Sequence, residues 1–557
     1  MPKRVTPIAL GAYLVLSVFF FAGSVALHPQ SRFVGSGTDP EIFIWSIAWW
    51  PHAIGHAANP FVTRDVWAPF AMNLAWVTSV PALALVLTPI TVLGGAVLAY
   101  NVAALAMPAL AAWTAFLLCR HVTRSLWPSL VGGYLFGFSS YELGHVQGHL
   151  HLTSIFLLPV VALLTLRFLE GGLDARGLVV RLGPVLALQL LLSTEVLFTT
   201  SVALVVALLL GCALVPRVRA RAQQVVAPLV GSYAVAVVLT APFVAYLVSG
   251  FESGSISQPR LYPADLANLV IPTATTWLRL HWTDVRAAQL IGNNSENGAY
   301  LGLPLLAIVA WFAWARRRSR PARFLVAAVA VGVLAELGAA LHVDGRSVVP
   351  LPWDLLLHLP GFDNVLPARL AAFVALAVAV IAALWASARE VPAAVRVGGV
   401  AAAIAFTLPN PFYDGWRATP AQPAFFADGL YRTCLRPHET VLALPYGPQS
   451  DSMLWQAQSG FAWRLADGYL RPAPPRALPP RWWQTAVELD DQVVRPSAPA
   501  VFRRLLRFQH VTTVVQYPWH RELWQPLVRG LGTPESVGGV LVYHLDGSAR
   551  SCVGSGA

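Results

Sequence analysis

Residues 35–50 read Gly-Ser-Gly-Thr-Asp-Pro-Glu-Ile-Phe-Ile-Trp-Ser-Ile-Ala-Trp-Trp, with two acidic residues, Asp39 and Glu41, heading an apolar, tryptophan-rich run. Asp followed by Pro is a common helix start. The aspartate caps orphan amides, and proline needs no amide partner in the first turn. What precedes the stretch gives it meaning. From Pro7 to Leu27 the chain is apolar and uncharged, about the length that crosses a bilayer. It follows the basic start Met1-Pro-Lys-Arg and ends at Val25-Ala26-Leu27-His28, a poor small-residue cleavage site. This predicts an uncleaved first span with its N-terminus inside. The acidic stretch then opens an external segment, 28–79, too polar to span.

Composition agrees with a membrane protein. Hydrophobic residues make up 56% of the 557 and charged residues 12%, about half the charge of an ordinary soluble chain. The mean hydropathy is +0.59. Together these exclude a cytosolic enzyme, a disordered chain and a nucleic-acid binder. The formal charge of +11 does not point to nucleic acid, because the arginines sit in short clusters between apolar runs, as the positive-inside rule expects. Lys3 is the one lysine. The arginine, alanine and proline bias suggests a GC-rich bacterial genome. The four cysteines show no metal-ligand spacing.

Charge parity orders the rest. An apolar run from Val80 to Leu93 precedes another from Leu98 to Leu118, which ends in Arg120 and Arg124. If both crossed, those arginines and the later clusters Arg217–Arg221 and Arg316–Arg320 would all lie outside. The first run has about 14 residues against the ~20 a span needs, so a half-embedded interfacial helix is expected there. Further spans are expected near 125–139, 152–169, 182–194, 196–214, 225–248, 299–315, 322–341, 369–387 and 393–408. The fold class is then an α-helical polytopic membrane protein of about eleven spans, N-terminus cytoplasmic. Residues 1–408 form its transmembrane domain. From 409 to 557 charge returns, with strand-like runs at 441–445, 511–516 and 540–545, which predicts an extracytoplasmic α/β domain. Cys434 and Cys552 both lie in it, and a disulfide between them is one option. Five tryptophans between residues 45 and 76 suit helices lying at the aqueous face of a bilayer.

An acidic residue in the first large external loop, interfacial helices in that loop and an external C-terminal domain together resemble the GT-C superfamily of membrane glycosyltransferases. Tyr141–His149 (Tyr-Glu-Leu-Gly-His-Val-Gln-Gly-His), Glu296–Pro304, Leu359–Arg369 and Leu444-Pro-Tyr-Gly447 are similar to segments of bacterial YfhO-type members. The resemblance implies an enzyme of the bacterial plasma membrane. It would move a sugar from a polyprenyl-phosphate donor to a hydroxyl of a glycan or lipid acceptor, with inversion. Asp39 would be the general base, or else only the helix start described above.

The phosphate calls for positive charge. Arg369, where a loop meets a span, is the first candidate beside Arg260, Arg279 and Arg286, with interfacial snorkelling as its alternative. Glu41, Glu195 and His149 complete the substrate-binding candidates. His145 and His149, one helical turn apart, with His151, are candidate ligands for a divalent cation, although the sequence requires none. Polar lining of a cavity is the other reading. The His52 and His56 pair is weaker.

A transporter or flippase of a lipid-linked or polar substrate is the alternative, as is a non-catalytic GT-C-like assembly protein. Transporters tend to show internal repeats and mid-membrane charge, and neither stands out. The topology is directly testable. A reporter fused after Arg124 should read cytoplasmic and one fused after Gly415 external. An external signal at Arg124 would mean that residues 80–93 span.

Overall fold

A computed structural model describes residues 5–250, 257–470, 475, 478–545 and 552. The chain is mostly helical (61%) and divides into two compact units. One comprises Met1–Leu27, Val102–Ala241 and Glu252–Arg417. The other comprises His28–Asn101, Pro242–Phe251 and Ala418–Ala557.

Among the described residues, seven helices are long and apolar enough to cross a membrane: Val5–Ala26, Ala96–Thr123, Leu150–Leu169, Ala175–Leu192, Thr194–Leu214, Pro216–Leu239 and Pro367–Ser387. Gly302–Ala315 and Ala393–Phe406 are apolar but shorter, and Leu126–Gly137 and Arg320–Glu336, where further spans were expected, are shorter too. The run at 80–93 forms Pro81–Val86 and Thr88–Gly94, interrupted at Leu87. Neither piece is long enough to cross.

In the first unit, Leu178, Leu182 and Leu186 pack with Val225 and Ala236. The short helix Leu126–Gly137 is glycine-rich, which lets neighbouring backbones approach closely. A β-carbon on Gly137 would lie 2.4 Å from both the Ala112 nitrogen and the Pro108 oxygen. Tyr13 ties the first span to the same helix by donating to the Leu130 carbonyl at 2.8 Å.

In the second unit, β1 (Thr440–Leu444), β2 (Arg464–Leu465), β3 (Thr513–Gln516), β4 (Glu535–Val537) and β5 (Val540–His544) form one sheet in the order β4-β5-β3-β1-β2. β1 runs parallel to β2 and β3, while β5 is antiparallel to β3 and β4. Val441 through Leu444 are buried, as expected for a parallel strand covered on both faces. Gly538 and Gly539 join β4 to β5, both with positive φ, as the favoured two-residue hairpin turn requires. A disulfide joins Cys434 to Cys552.

The tryptophan-rich segment folds into this unit. Helix Asp39–Gly55 buries Trp45, Trp49 and Trp50. Trp45 stacks on Trp49 and donates to Gln456 Oε1 at 2.7 Å. These indoles are core residues of the unit, which differs from the membrane-surface role expected for them. Residues 28–101 and 418–557 supply the two sides of that core, so tryptophan spacing alone could not reveal the partner.

Gly137→Ala should lower the unfolding temperature of the purified protein, at a cost of about 1–3 kcal/mol for overpacking. Gly11→Ala, where nothing lies within 4 Å of the new carbon, should leave it unchanged or raise it. Equal melting of the two variants would contradict this packing.

Candidate functional site

Arg369 lies in the 3₁₀ turn Pro367–Leu370 that leads into helix Ala371–Ser387. Its Nη2 donates to Glu296 Oε1 at 2.6 Å, and its Nε contacts Oε1 and Oε2 at 3.2 and 3.1 Å. Its Nη1 donates to Glu195 Oε2 at 2.7 Å. Glu195 sits in the first turn of Thr194–Leu214, where Ser193 caps the helix by accepting from the Val196 amide. Glu296 is presented by a turn in which Asn293 Oδ1 accepts from the Glu296 amide at 3.0 Å.

Two histidines adjoin this triad. His145 closes helix Ser140–Val146, and His149 is the cap residue of Leu150–Thr153. Their Nδ1 atoms are 3.0 Å apart. Donor atoms of His145, His149 and Glu296 all lie within 4.8 Å of one another. Tyr141 packs edge-on against His145.

The electrostatics separate these groups. Burial alone would raise the Glu296 carboxyl, but the Arg369 guanidinium beside it holds it at about 2. Burial, opposed by Glu296 and reinforced by His149 and Arg369, keeps His145 well below its ordinary range and therefore neutral at pH 7. Burial pushes Glu142 well above the usual carboxylate range, and neither of its oxygens has a partner among the described residues.

The other expected residues are dispersed. Arg260, Arg279 and Arg286 are each paired with an aspartate (Asp354, Asp284 and Asp344). Arg369 is the least exposed of the four, at 14% of its side chain, and its fork is filled by the two carboxylates. Glu195 is an ion-pair partner and not a solvated turn residue. His151 is buried but stands outside the three-ligand cluster, where Glu296 takes its place. His52 and His56 stack with ring centroids 4.2 Å apart in the second unit.

Asp39 also belongs to the second unit, half-buried. It is the first helical residue, one position past the expected cap, which is Thr38. Thr38 donates its hydroxyl to the Pro448 carbonyl and makes no side-chain cap bond. Glu41 is 1% exposed. Burial, with Asp451 beside it, raises its carboxyl well above the usual range, and its Oε2 accepts from the Leu454 amide at 3.3 Å. That placement anchors the helix and does not present Glu41 to a substrate. Glu296 is the residue to which sequence reasoning gave no role, although it heads one of the four quoted motifs.

A family model for a domain of unknown function, DUF6311, matches residues 8–405. The chain belongs to that family. No curated protein sequence matches it. Among solved structures, this DUF6311 chain is similar to the arabinofuranosyltransferase AftD from Mycobacteria, at a TM-score of 0.58 and 14% identity over 98% of this chain and 40% of that one. ArnT from Cupriavidus metallidurans bound to undecaprenyl phosphate matches at 0.51 and 14%, over 99% of this chain and 100% of that one. The apo oligosaccharyltransferase of Archaeoglobus fulgidus matches at 0.51 and 12%, over 92% and 70%. These neighbours are GT-C glycosyltransferases, and the fold is of that kind. The chain spans two-fifths of AftD's length.

Arg369→Ala would leave two carboxylates facing each other without a cation, Glu296 at 4% side-chain exposure and Glu195 at 22%. Removing one partner of a buried pair costs about 3–5 kcal/mol, so the variant should melt far below wild type or fail to accumulate. Arg369→Lys keeps the charge but loses the fork and should fall between. A wild-type melting temperature for Arg369→Ala would refute the structural role of the triad.

Proposed function

We propose that this protein is a membrane glycosyltransferase that moves a sugar from a polyprenyl-phosphate donor to an acceptor hydroxyl. The reaction takes place on the extracytoplasmic face of a bacterial plasma membrane and inverts the anomeric centre. The observation that carries the reading is the partly buried Asp39, at the head of the first helix after the first span, in a chain whose fold is of the GT-C kind. The structure of ArnT holds undecaprenyl phosphate, which supports a lipid-linked donor here. The seven long helices and the four shorter ones at the remaining expected positions make up the eleven spans, with residues 28–79 and the C-terminal segment outside.

In this reading the Asp39 carboxylate accepts the proton of the acceptor hydroxyl. The acceptor oxygen forms a bond to the anomeric carbon as the bond from that carbon to the phosphate oxygen breaks. The lipid phosphate leaves with the electron pair. Because phosphate carries that charge well, no protein acid has to protonate it. The acceptor's proton stays on Asp39 until it is lost to water.

Asp39→Asn keeps the shape and removes the base. It should leave expression and melting temperature near wild type while lowering transfer about 10²–10⁴-fold, the usual worth of general base catalysis. Transfer is read as sugar released from a polyprenyl-phosphate donor by purified protein in lipid. Near-normal turnover in Asp39→Asn would end the assignment.

A further inference from the structure

We propose that His145, His149 and Glu296 form a binding site for a divalent ion of the zinc class. Three observations carry it. The first is donor geometry. Two metal–nitrogen bonds of about 2.0–2.1 Å, meeting at about 90–109°, place their nitrogens about 2.9–3.3 Å apart. The Nδ1 atoms of His145 and His149 stand 3.0 Å apart, and an oxygen of Glu296 lies within 4.8 Å of both.

The second observation is that two carboxylates, Glu195 and Glu296, share a single guanidinium, Arg369. A cation held by Glu296 would add a second positive partner without breaking the pair with Arg369, because that arginine's shortest contact is to Oε1, at 2.6 Å, and Oε2 takes one contact from it, at 3.1 Å. The third observation is a polar atom that the chain itself leaves unsatisfied. Glu195 Oε1, on the carboxylate that shares Arg369 with Glu296, is buried without a partner among the described residues. Such an atom calls for an explanation outside the protein, and water bound to an ion supplies one.

The donor set selects the metal. Imidazole nitrogens with one carboxylate suit zinc and its neighbours better than magnesium or calcium, which favour all-oxygen shells. Three protein ligands also leave a coordination position open, as catalytic sites do and closed structural sites do not. The open position would take water or an oxygen ligand from outside the protein.

The test uses the full-length protein in lipid nanodiscs, stripped with chelator and dialysed against Zn²⁺, with bound metal counted by elemental analysis. The proposal expects one Zn²⁺ per chain in wild type and in Asp39→Asn. It expects affinity weakened roughly 100-fold or more in His149→Ala, beyond the loss typical of outer-shell changes. Co²⁺ bound to the wild type should show nitrogen coordination in its magnetic-resonance spectrum, which keeps the test decisive if His149→Ala does not fold. Bound zinc near zero in wild type, unchanged affinity in His149→Ala, or Co²⁺ without nitrogen ligands would each overturn the site. Zinc bound without any transfer overturns the proposed function and leaves the site standing, whereas transfer by zinc-free protein that binds none overturns the site alone.

Discussion

A guanidinium removed from water between two carboxylates, Arg369 between Glu195 and Glu296, ties together three stretches of chain that share no local structure. One is the first turn of a long apolar helix, one is a loop turn, and one is the 3₁₀ lead-in to another helix. None of these groups can be left alone. Each buried charge is tolerable only while its partners stay within hydrogen-bonding distance. Arginine suits the position because its planar fork serves two carboxylates at once without deprotonating. The geometry of the triad thus fixes where the loop bearing Glu296 meets the helices, and with it the placement of the histidine pair.

The surrounding helices hold the triad by the means available where apolar solvent offers no drive for helix association. Small residues let backbones touch, as at Gly137, and tyrosine hydroxyls reach carbonyls on neighbouring helices, as Tyr13 does with Leu130. The second unit packs around a sheet instead. Its central strand β1 is buried on both faces, and its aromatic core draws on Trp45, Trp49 and Trp455.

Much of the membrane architecture is legible in the sequence because it depends on local composition. A run of about 20 apolar residues is a span wherever it occurs, and the shortness of 80–93 matches its division into two helices. The histidine pair is legible because it is local, although the two side chains meet across a turn in which the His149 amide donates to the His145 carbonyl and not on one helix face. The triad is not. Arg369 lies 73 residues from Glu296 and 174 from Glu195, and no periodicity links them. The four quoted motifs named three of the right segments without showing that Glu296, Arg369 and the histidines meet. The tryptophan run misled for a related reason: indole suits both a membrane surface and a protein core, and only the partner surface decides between them.

The sign of the charge at the triad bears on where a phosphate could sit. Two unit charges 4 Å apart in a partly screened site interact by about 4 kcal/mol. Any anion beside Glu195 and Glu296 would meet repulsion of that order, and the attraction of Arg369 would offset only part of it. Moving either carboxylate away would not help, because the arginine and the remaining glutamate would then lose a partner out of water. A phosphate can therefore be accommodated beside this cluster only if positive charge arrives with it. The neutral His145 imidazole does not supply that charge at pH 7, since burial and the neighbouring cation oppose its protonation. What a neutral imidazole does offer is a lone pair on its unprotonated nitrogen, the form in which histidine ligates a metal. Burial opposes any cation placed there, so an ion would be held only because the Glu296 carboxylate shares it.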